Sequence, residues 1–146
     1  MKIAKAMKII SRLKGEINLL EDRIGKCVST IAGNDFTEDM DTLVKTRLNK
    51  VEELVTLKVK VMEQNIKHGT FRTITTLSEL KNEIVLYKDL EIKVGITKDR
   101  YGEAAGTTYK TQLDIATKEA HITKLQERIN SLTDELDVFN ATTEIN

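Results

Sequence analysis

Two histidines and one cysteine are the side chains best suited to catalysis or metal binding in this chain: His68, His121 and Cys27. Neither histidine belongs to an HExxH motif or to another pair with the spacing that holds a catalytic zinc ion. Cys27 occupies a position in an apolar repeat, where a cysteine packs as a small hydrophobic side chain. The pattern favours packed or solvated roles for all three residues. We therefore predict no catalytic, metal-binding or cofactor-binding residue, and a protein that is not an enzyme.

Four acidic residues lie close together after the first predicted helix: Asp35, Glu38, Asp39 and Asp41. Clustered carboxylates are the ligands that Ca²⁺ prefers, but an EF-hand loop also needs glycine at its sixth position and glutamate at its twelfth. No frame of this segment supplies both. We interpret it as a solvated acidic loop.

The segment 95–107 is predicted to be a flexible loop. It contains three glycines, Gly95, Gly102 and Gly106. They match neither GxGxxG nor GxxxxGK[ST], the two patterns that place backbone N–H groups around a phosphate. Tyr101 and Tyr109 lie in or beside the loop. Two interpretations stay open, a plain connection and a contact loop that uses the two tyrosines.

Composition excludes several classes of protein. The chain of 146 residues carries 23 Lys and Arg against 23 Asp and Glu, so it lacks the basic balance typical of nucleic-acid-binding proteins. No apolar run reaches the roughly 18 residues of a membrane span, and we find no secretory signal at the N-terminus. The single cysteine excludes an internal disulfide framework. These features predict a single helical domain over 1–146, located in the cytoplasm and without bound nucleic acid.

An apolar repeat of seven residues predicts the first helix, over about 2–32. Isoleucines recur at every seventh position, and another apolar residue stands three positions after each of the first four. The residues of this repeat are Ile3, Ala6, Ile10, Leu13, Ile17, Leu20, Ile24, Cys27 and Ile31. On a helix of 3.6 residues per turn, such a repeat forms a seam against a partner helix. We predict that this seam packs in a coiled-coil-like bundle, within one chain or between copies.

The second predicted helix, over about 42–66, has a different period. Its predicted core positions are Val44, Leu48, Val51, Val55, Val59, Met62 and Ile66. These positions repeat at eleven residues, which is close to the period of a straight helix. Additional apolar residues widen the face: Leu43, Leu54, Leu57 and Val61. We therefore expect this helix to contact more than one neighbour.

Two further helices are predicted over about 77–94 and 115–140. Thr76 and Glu79 have the spacing of a capping box at the start of the third helix. The fourth helix carries a second apolar seam: Ile122, Leu125, Ile129, Leu132, Leu136 and Phe139. The fold class is thus all-α, a four-helix antiparallel coiled-coil-like bundle.

A small two-stranded β element is also expected. The threonine-rich runs 70–75 and 108–113 have β propensity, and we predict that they pair as a ribbon, within one chain or between chains. The polar tail 141–146 is predicted to fray unless another part of the protein docks it.

Charge is uneven along the chain although it sums to zero. The first fourteen residues carry five basic side chains and no acidic one, whereas acidic residues outnumber basic ones by seven to three after residue 110. In an antiparallel bundle the first and last helices lie side by side, so opposite charges there fix orientation more than they add stability. We predict that the basic N-terminal segment meets the acidic C-terminal one.

The C-terminal residues Phe139-Asn140-Ala141-Thr142-Thr143-Glu144-Ile145 closely resemble the Asn-Trp-Thr-Thr-Glu-Leu ending of a bacterial family described as septicolysin-like. The Met-Lys-Ile-Ala start and the Thr75-Thr76-Leu77 turn are similar too. Ala141 stands where the family has tryptophan. The resemblance implies a small, soluble, mostly helical protein and brings no catalytic residues with it.

Three functional hypotheses follow. The favoured one is a non-enzymatic assembly or protein-interaction protein that forms a homo-oligomer through its coiled-coil helices, because interaction surface is what the sequence visibly provides. The second is a membrane-active, cytolysin-like protein whose basic amphipathic segment 2–14 lies on an anionic membrane surface. The third is a small effector, for example one encoded by a phage, that binds and blocks a host protein.

Overall fold

A computed structural model describes residues 1–97 and 107–146. Within them the elements are, in chain order, α1 (Ile3–Cys27), α2 (Met40–Lys67), α3 (Thr70–Asp89), β1 (Gly95–Thr97), β2 (Thr107–Tyr109) and α4 (Ile115–Thr142). The predicted all-α class, with four helices and a small two-stranded β element, is confirmed for this part of the chain. Across the same residues, none of the helices combines the length and the apolar character needed to cross a bilayer.

The chain divides into two compact units. The first comprises Met1–Phe71 and Leu136–Asn146, and the second comprises Arg72–Glu135. The last turns of α4 therefore belong to the first unit and its earlier turns to the second. A single domain over 1–146 stays a prediction, because a compact unit of contacts need not fold by itself.

In the first unit α1 and α2 pack antiparallel. Arg47 Nη2 lies 2.7 Å from Glu21 Oε1, and Lys50 Nζ lies 2.8 Å from Glu16 Oε2. The later residue of α2 thus contacts the earlier residue of α1, so the two helices run in opposite directions. The contact with the Lys50 ammonium is the main reason that the pKa of Glu16 lies below its ordinary value. The buried residues of α1 all belong to the predicted seam: Ile3, Ala6, Leu13, Ile17, Leu20 and Cys27.

The two chain ends pair with each other in this unit. The Ile3 N–H donates to Thr143 O at 3.0 Å, and the Ile145 N–H donates to Met1 O at 2.7 Å. Ile145 is buried in a cluster with Ile3. The tail 141–146 is therefore docked, and the predicted fraying is wrong because its backbone is hydrogen-bonded and Ile145 is covered. The start of α1 does lie beside the end of α4, through backbone and apolar contacts.

α1 ends at Cys27, five residues before its predicted end. The Val28 N–H donates to Ile24 O at 3.1 Å and closes the last turn. Valine, serine, threonine and isoleucine follow in succession, and these residue types favour a helix less than alanine or leucine do. Ile31 consequently lies outside the helix and is 76% exposed, so its assignment to the seam is wrong.

The acidic loop between α1 and α2 is bonded to both of these helices. Asp39 caps α2, because its carboxylate accepts a hydrogen bond from the Thr42 N–H at 3.0 Å. Hydrogen bonds from Thr42 lower the pKa of Asp39. Glu38 forms an ion pair with Arg23 of α1, and hydrogen bonds from that guanidinium lower the pKa of Glu38. The loop is thereby tied to the helices on either side.

α3 begins at Thr70, so the predicted strand over 70–75 and the predicted helix start at Thr76 are wrong. Gly69 ends α2 with a φ of 71°, a left-handed conformation that suits glycine. The new helix starts immediately afterwards. Thr70, Thr73 and Thr76 lie on a partly buried face that continues to Leu77 and Leu80. Packing along that face outweighs the β propensity of threonine.

In the second unit α3 and α4 also lie antiparallel. His121 Nε2 of α4 lies 3.1 Å from Glu83 Oε1 of α3. Three residues earlier in α4, Lys118 donates to Leu90 O at 2.9 Å, just beyond the end of α3. α3 ends at Asp89 and not at the predicted 94.

β1 and β2 form an antiparallel pair, with Gly95 opposite Tyr109 and Thr97 opposite Thr107. A β element is therefore present, and β2 overlaps the predicted run 108–113. Its partner is β1 and not the run 70–75, which is helical. Residues 98–106 of the predicted flexible loop lie outside the described residues.

We expect Thr70→Val to lower the free energy of unfolding by about 1–3 kcal/mol, the usual cost of a buried polar group that loses its partner. The Thr70 hydroxyl donates to Asn65 Oδ1 at 3.1 Å, and Asn65 is buried. Thr73→Val is the matched control, because Thr73 is also a half-buried threonine in the first turns of α3. Urea unfolding followed by circular dichroism measures both variants. Equal losses would contradict the role of the Thr70 hydroxyl as the partner of Asn65.

Candidate self-association surface

The face of α2 that contacts α1 is formed by residues that were predicted only to widen its apolar surface. Leu43 is buried in a cluster with Leu20 towards one end of the contact. Leu57 and Val61 pack against the cluster around Ile3 towards the other end. This face therefore supplies the apolar contact between the two helices.

The predicted core positions of α2 form a separate apolar stripe. We define the stripe as Val44, Leu48, Val51, Val55, Val59, Met62 and Ile66. Val44 and Val51 are half-buried, and the remaining five are between 44 and 65% exposed. The prediction that these residues form the core is thus wrong for the five exposed ones, because another face of the helix packs on α1.

The two faces of α2 are offset by one residue. Val44 follows Leu43, Val55 follows Leu54, and Met62 follows Val61. One residue turns an α-helix by about 100°, so the stripe points roughly a quarter turn away from α1. The number of apolar residues in α2 indicates that the helix has two contact faces. The period of these residues does not show which face packs on α1.

A groove between α1 and α2 extends the apolar surface beside the stripe. It has a volume of about 410 Å³, and Met62 of the stripe lines it together with Met7 and Ile10 of α1. Lys14 and Lys58 also line it, so one edge of the surface is basic.

The other edge of the stripe carries charges of both signs. Lys45 lies nine residues before Leu54, and Glu63 lies nine residues after it. Nine residues are two and a half helical turns, so both side chains project from the side of α2 opposite the α1 contact. Both are exposed, and within the described residues neither forms a salt bridge within 4 Å. Besides the hydrogen bonds from Thr42, the Lys45 charge helps to lower the pKa of Asp39.

The other predicted seam residues lie inside the chain. Those that are buried are Ile3, Leu13, Ile17, Leu20, Leu125 and Ile129. Those that are half-buried are Ile10, Ile24, Ile122, Leu132, Leu136 and Phe139. The seams of α1 and α4 are therefore covered within one copy, whereas five residues of the stripe of α2 stay exposed in the part of the chain that the structure describes.

The residues considered for chemistry are packed against ordinary neighbours. The His121 ring centroid lies 4.2 Å from that of Tyr87, and the His68 ring centroid lies 5.5 Å from that of Phe139. Cys27 is buried. Within 1–97 and 107–146, no group of three or more His, Cys, Asp or Glu side chains is placed to hold a metal ion.

The predicted contact loop is described only in part. Tyr109 is exposed at the end of β2, and Lys93 Nζ lies 5.7 Å from its ring centroid. Tyr101 lies outside the described residues, so the contact loop stays a prediction.

Comparisons of the chain with models of known protein families, with curated proteins and with solved structures find no match. The resemblance of residues 139–145 to the septicolysin-like family stays an interpretation of the sequence.

Proposed function

We propose that this protein is a non-enzymatic self-associating protein, and that copies meet through the stripe of α2. The observation that carries the proposal is the stripe itself, with five large apolar side chains in one row and about half exposed. The row extends over residues 44–66, about 33 Å of helix. Soluble monomers rarely leave a contiguous apolar surface of this kind uncovered.

The regularity of the stripe supports a helical partner. Its positions keep an eleven-residue period, which holds an apolar row on one side of a nearly straight helix. An eleven-residue period gives a pair of such helices a right-handed supercoil, which keeps the two rows in contact along their length. A second copy of the chain provides that row.

Membrane activity through residues 2–14 has less support. The apolar side of that segment includes Ile3, Ala6 and Leu13, none of which has exposed surface. A helix that binds a membrane surface must present its apolar face to the lipid. Here Ile3, Ala6 and Leu13 are packed within the chain, and Met7 is the residue of that face that stays half exposed. The effector hypothesis relies on the same stripe but needs a foreign protein as its occupant.

Co-purification of two differently tagged copies tests the proposal. When both are expressed together, capture of one tag is expected to recover the other copy, because each chain offers the same stripe. Val59→Glu in both copies is expected to abolish the recovery, since it places a charge in the stripe. Capture of a host protein in place of the second copy would contradict self-association and favour the effector hypothesis.

A further inference from the structure

We infer that the stripe joins two copies in antiparallel orientation, with a two-fold axis at Val55. This inference rests on the proposed self-association and specifies its geometry. Two copies related by such an axis use the same surface, so the assembly closes as a dimer.

The spacing of the stripe is the first observation behind this arrangement. From Val44 to Ile66 the intervals are four, three, four, four, three and four residues. The series reads the same in both directions, and Val55 is at its centre. Antiparallel pairing about Val55 therefore sets Val44 opposite Ile66 of the partner subunit, and it sets Leu48 opposite the partner's Met62. Each apolar residue meets another apolar residue, without a shift in register.

Charge complementarity is the second observation. Lys45 and Glu63 are 18 residues apart, which is five full turns, so they lie on the same side of α2. Lys45 is ten residues before Val55, and Glu63 is eight residues after it. The two-fold axis brings Lys45 level with the partner's Glu63 to within two residues, about 3 Å along the helix. Because the two-fold axis repeats every contact, this arrangement gives two ion pairs between Lys45 of one copy and the partner's Glu63.

A parallel dimer does not give these contacts. Parallel pairing sets each residue level with the same residue of the partner. It also puts the two edges that carry Lys45 and Glu63 on opposite sides of the helix pair, so Lys45 cannot reach the partner's Glu63. In the antiparallel pair Glu52 and Lys58, each three residues from the axis, lie about 9 Å along the helix from their own copies. The edge that carries Lys45 and Glu63 thus favours the antiparallel orientation.

Reversal of charge tests the predicted ion pairs. Lys45→Glu replaces two attractions by two repulsions, and we expect it to weaken dimerisation about 10-fold, as measured by sedimentation equilibrium. Glu63→Lys alone is expected to weaken it similarly. The double variant Lys45→Glu with Glu63→Lys is expected to restore the original affinity. Additive weakening in the double variant would overturn the pairing of these two residues.

Cysteine cross-linking tests the orientation. In a Cys27→Ala background with a mild oxidant, Val55→Cys is expected to form a disulfide-linked dimer, because the two-fold axis sets residue 55 opposite its own copy. Leu48→Cys alone and Met62→Cys alone are expected not to cross-link, whereas an equimolar mixture of the two is expected to give a mixed dimer. Efficient cross-linking of Leu48→Cys with itself would overturn the antiparallel arrangement.

The failure of this inference is distinct from the failure of the proposed function. A protein that dimerises but cross-links in the parallel pattern retains self-association and loses only the antiparallel geometry. A protein that stays monomeric and forms no cross-link at any of these positions contradicts both.

Discussion

Leu13→Ala is expected to lower the free energy of unfolding by about 2–5 kcal/mol, the range for truncation of a fully buried leucine. Leu13 has no exposed surface and lies on the seam by which α1 packs within the chain. Alanine removes most of the apolar contact and leaves a cavity that the surrounding helices close only in part.

The matched control for this prediction is Leu19→Ala, on the same helix. Leu19 is 67% exposed, so its truncation is expected to change the free energy of unfolding by less than about 0.5 kcal/mol. Urea unfolding measures both variants, at one protein concentration because self-association shifts apparent stability. Equal losses in the two variants would contradict the placement of the α1 seam inside one copy.

Val55→Glu is expected to raise the dissociation constant of the dimer at least about 100-fold. The axis at Val55 brings the two glutamates face to face within an apolar surface, and removal of an unpaired charge from water costs several kcal/mol. In the isolated chain the same side chain is 47% exposed, so the charge stays in water and the fold is retained.

Val85→Glu is the control for this change. Val85 is also an exposed valine on a helix, but it lies on α3, outside the stripe. Sedimentation velocity is expected to show an unaltered dimer for Val85→Glu and a monomer for Val55→Glu, with equal helix content by circular dichroism. A dimer that persists in Val55→Glu would exclude the stripe as the contact surface.

The sequence predicted the parts of the fold that depend on a regular apolar period. The seven-residue repeat of α1 identified residues such as Leu13 and Ile17, which the structure buries. It could not place the end of that helix, because Ile31 keeps the period although the residues before it favour a helix poorly. The period of the apolar residues shows which of them share a face of the helix. Tertiary packing decides how many of them are buried.

The same limit explains the surface of α2. Leu54 and Val55 are neighbours in the sequence and belong to different faces, and both faces are apolar. The choice of the Leu54 face for α1 depends on tertiary contacts such as the ion pair between Arg47 and Glu21, which local sequence does not reveal. The stripe around Val55 therefore became visible as a surface only in the structure.

Local propensity did not predict the conformation of two segments that make contacts outside themselves. Threonine favours strands, yet Thr70 opens a helix and its hydroxyl bonds Asn65 of the preceding helix. The C-terminal tail appeared polar and free, yet Ile145 is buried beside the first residues of α1. Asn65 lies five residues before Thr70, and the partners of Ile145 lie at the other end of the chain, so in both places the partner lies outside the segment whose propensity was considered.

The mass of the unmodified protein in solution tests the central claim most directly. Light scattering across a dilution series is expected to give twice the chain mass of 16.5 kDa at the upper end, falling towards the mass of one chain on dilution. A mass of one chain at every concentration would contradict self-association through α2.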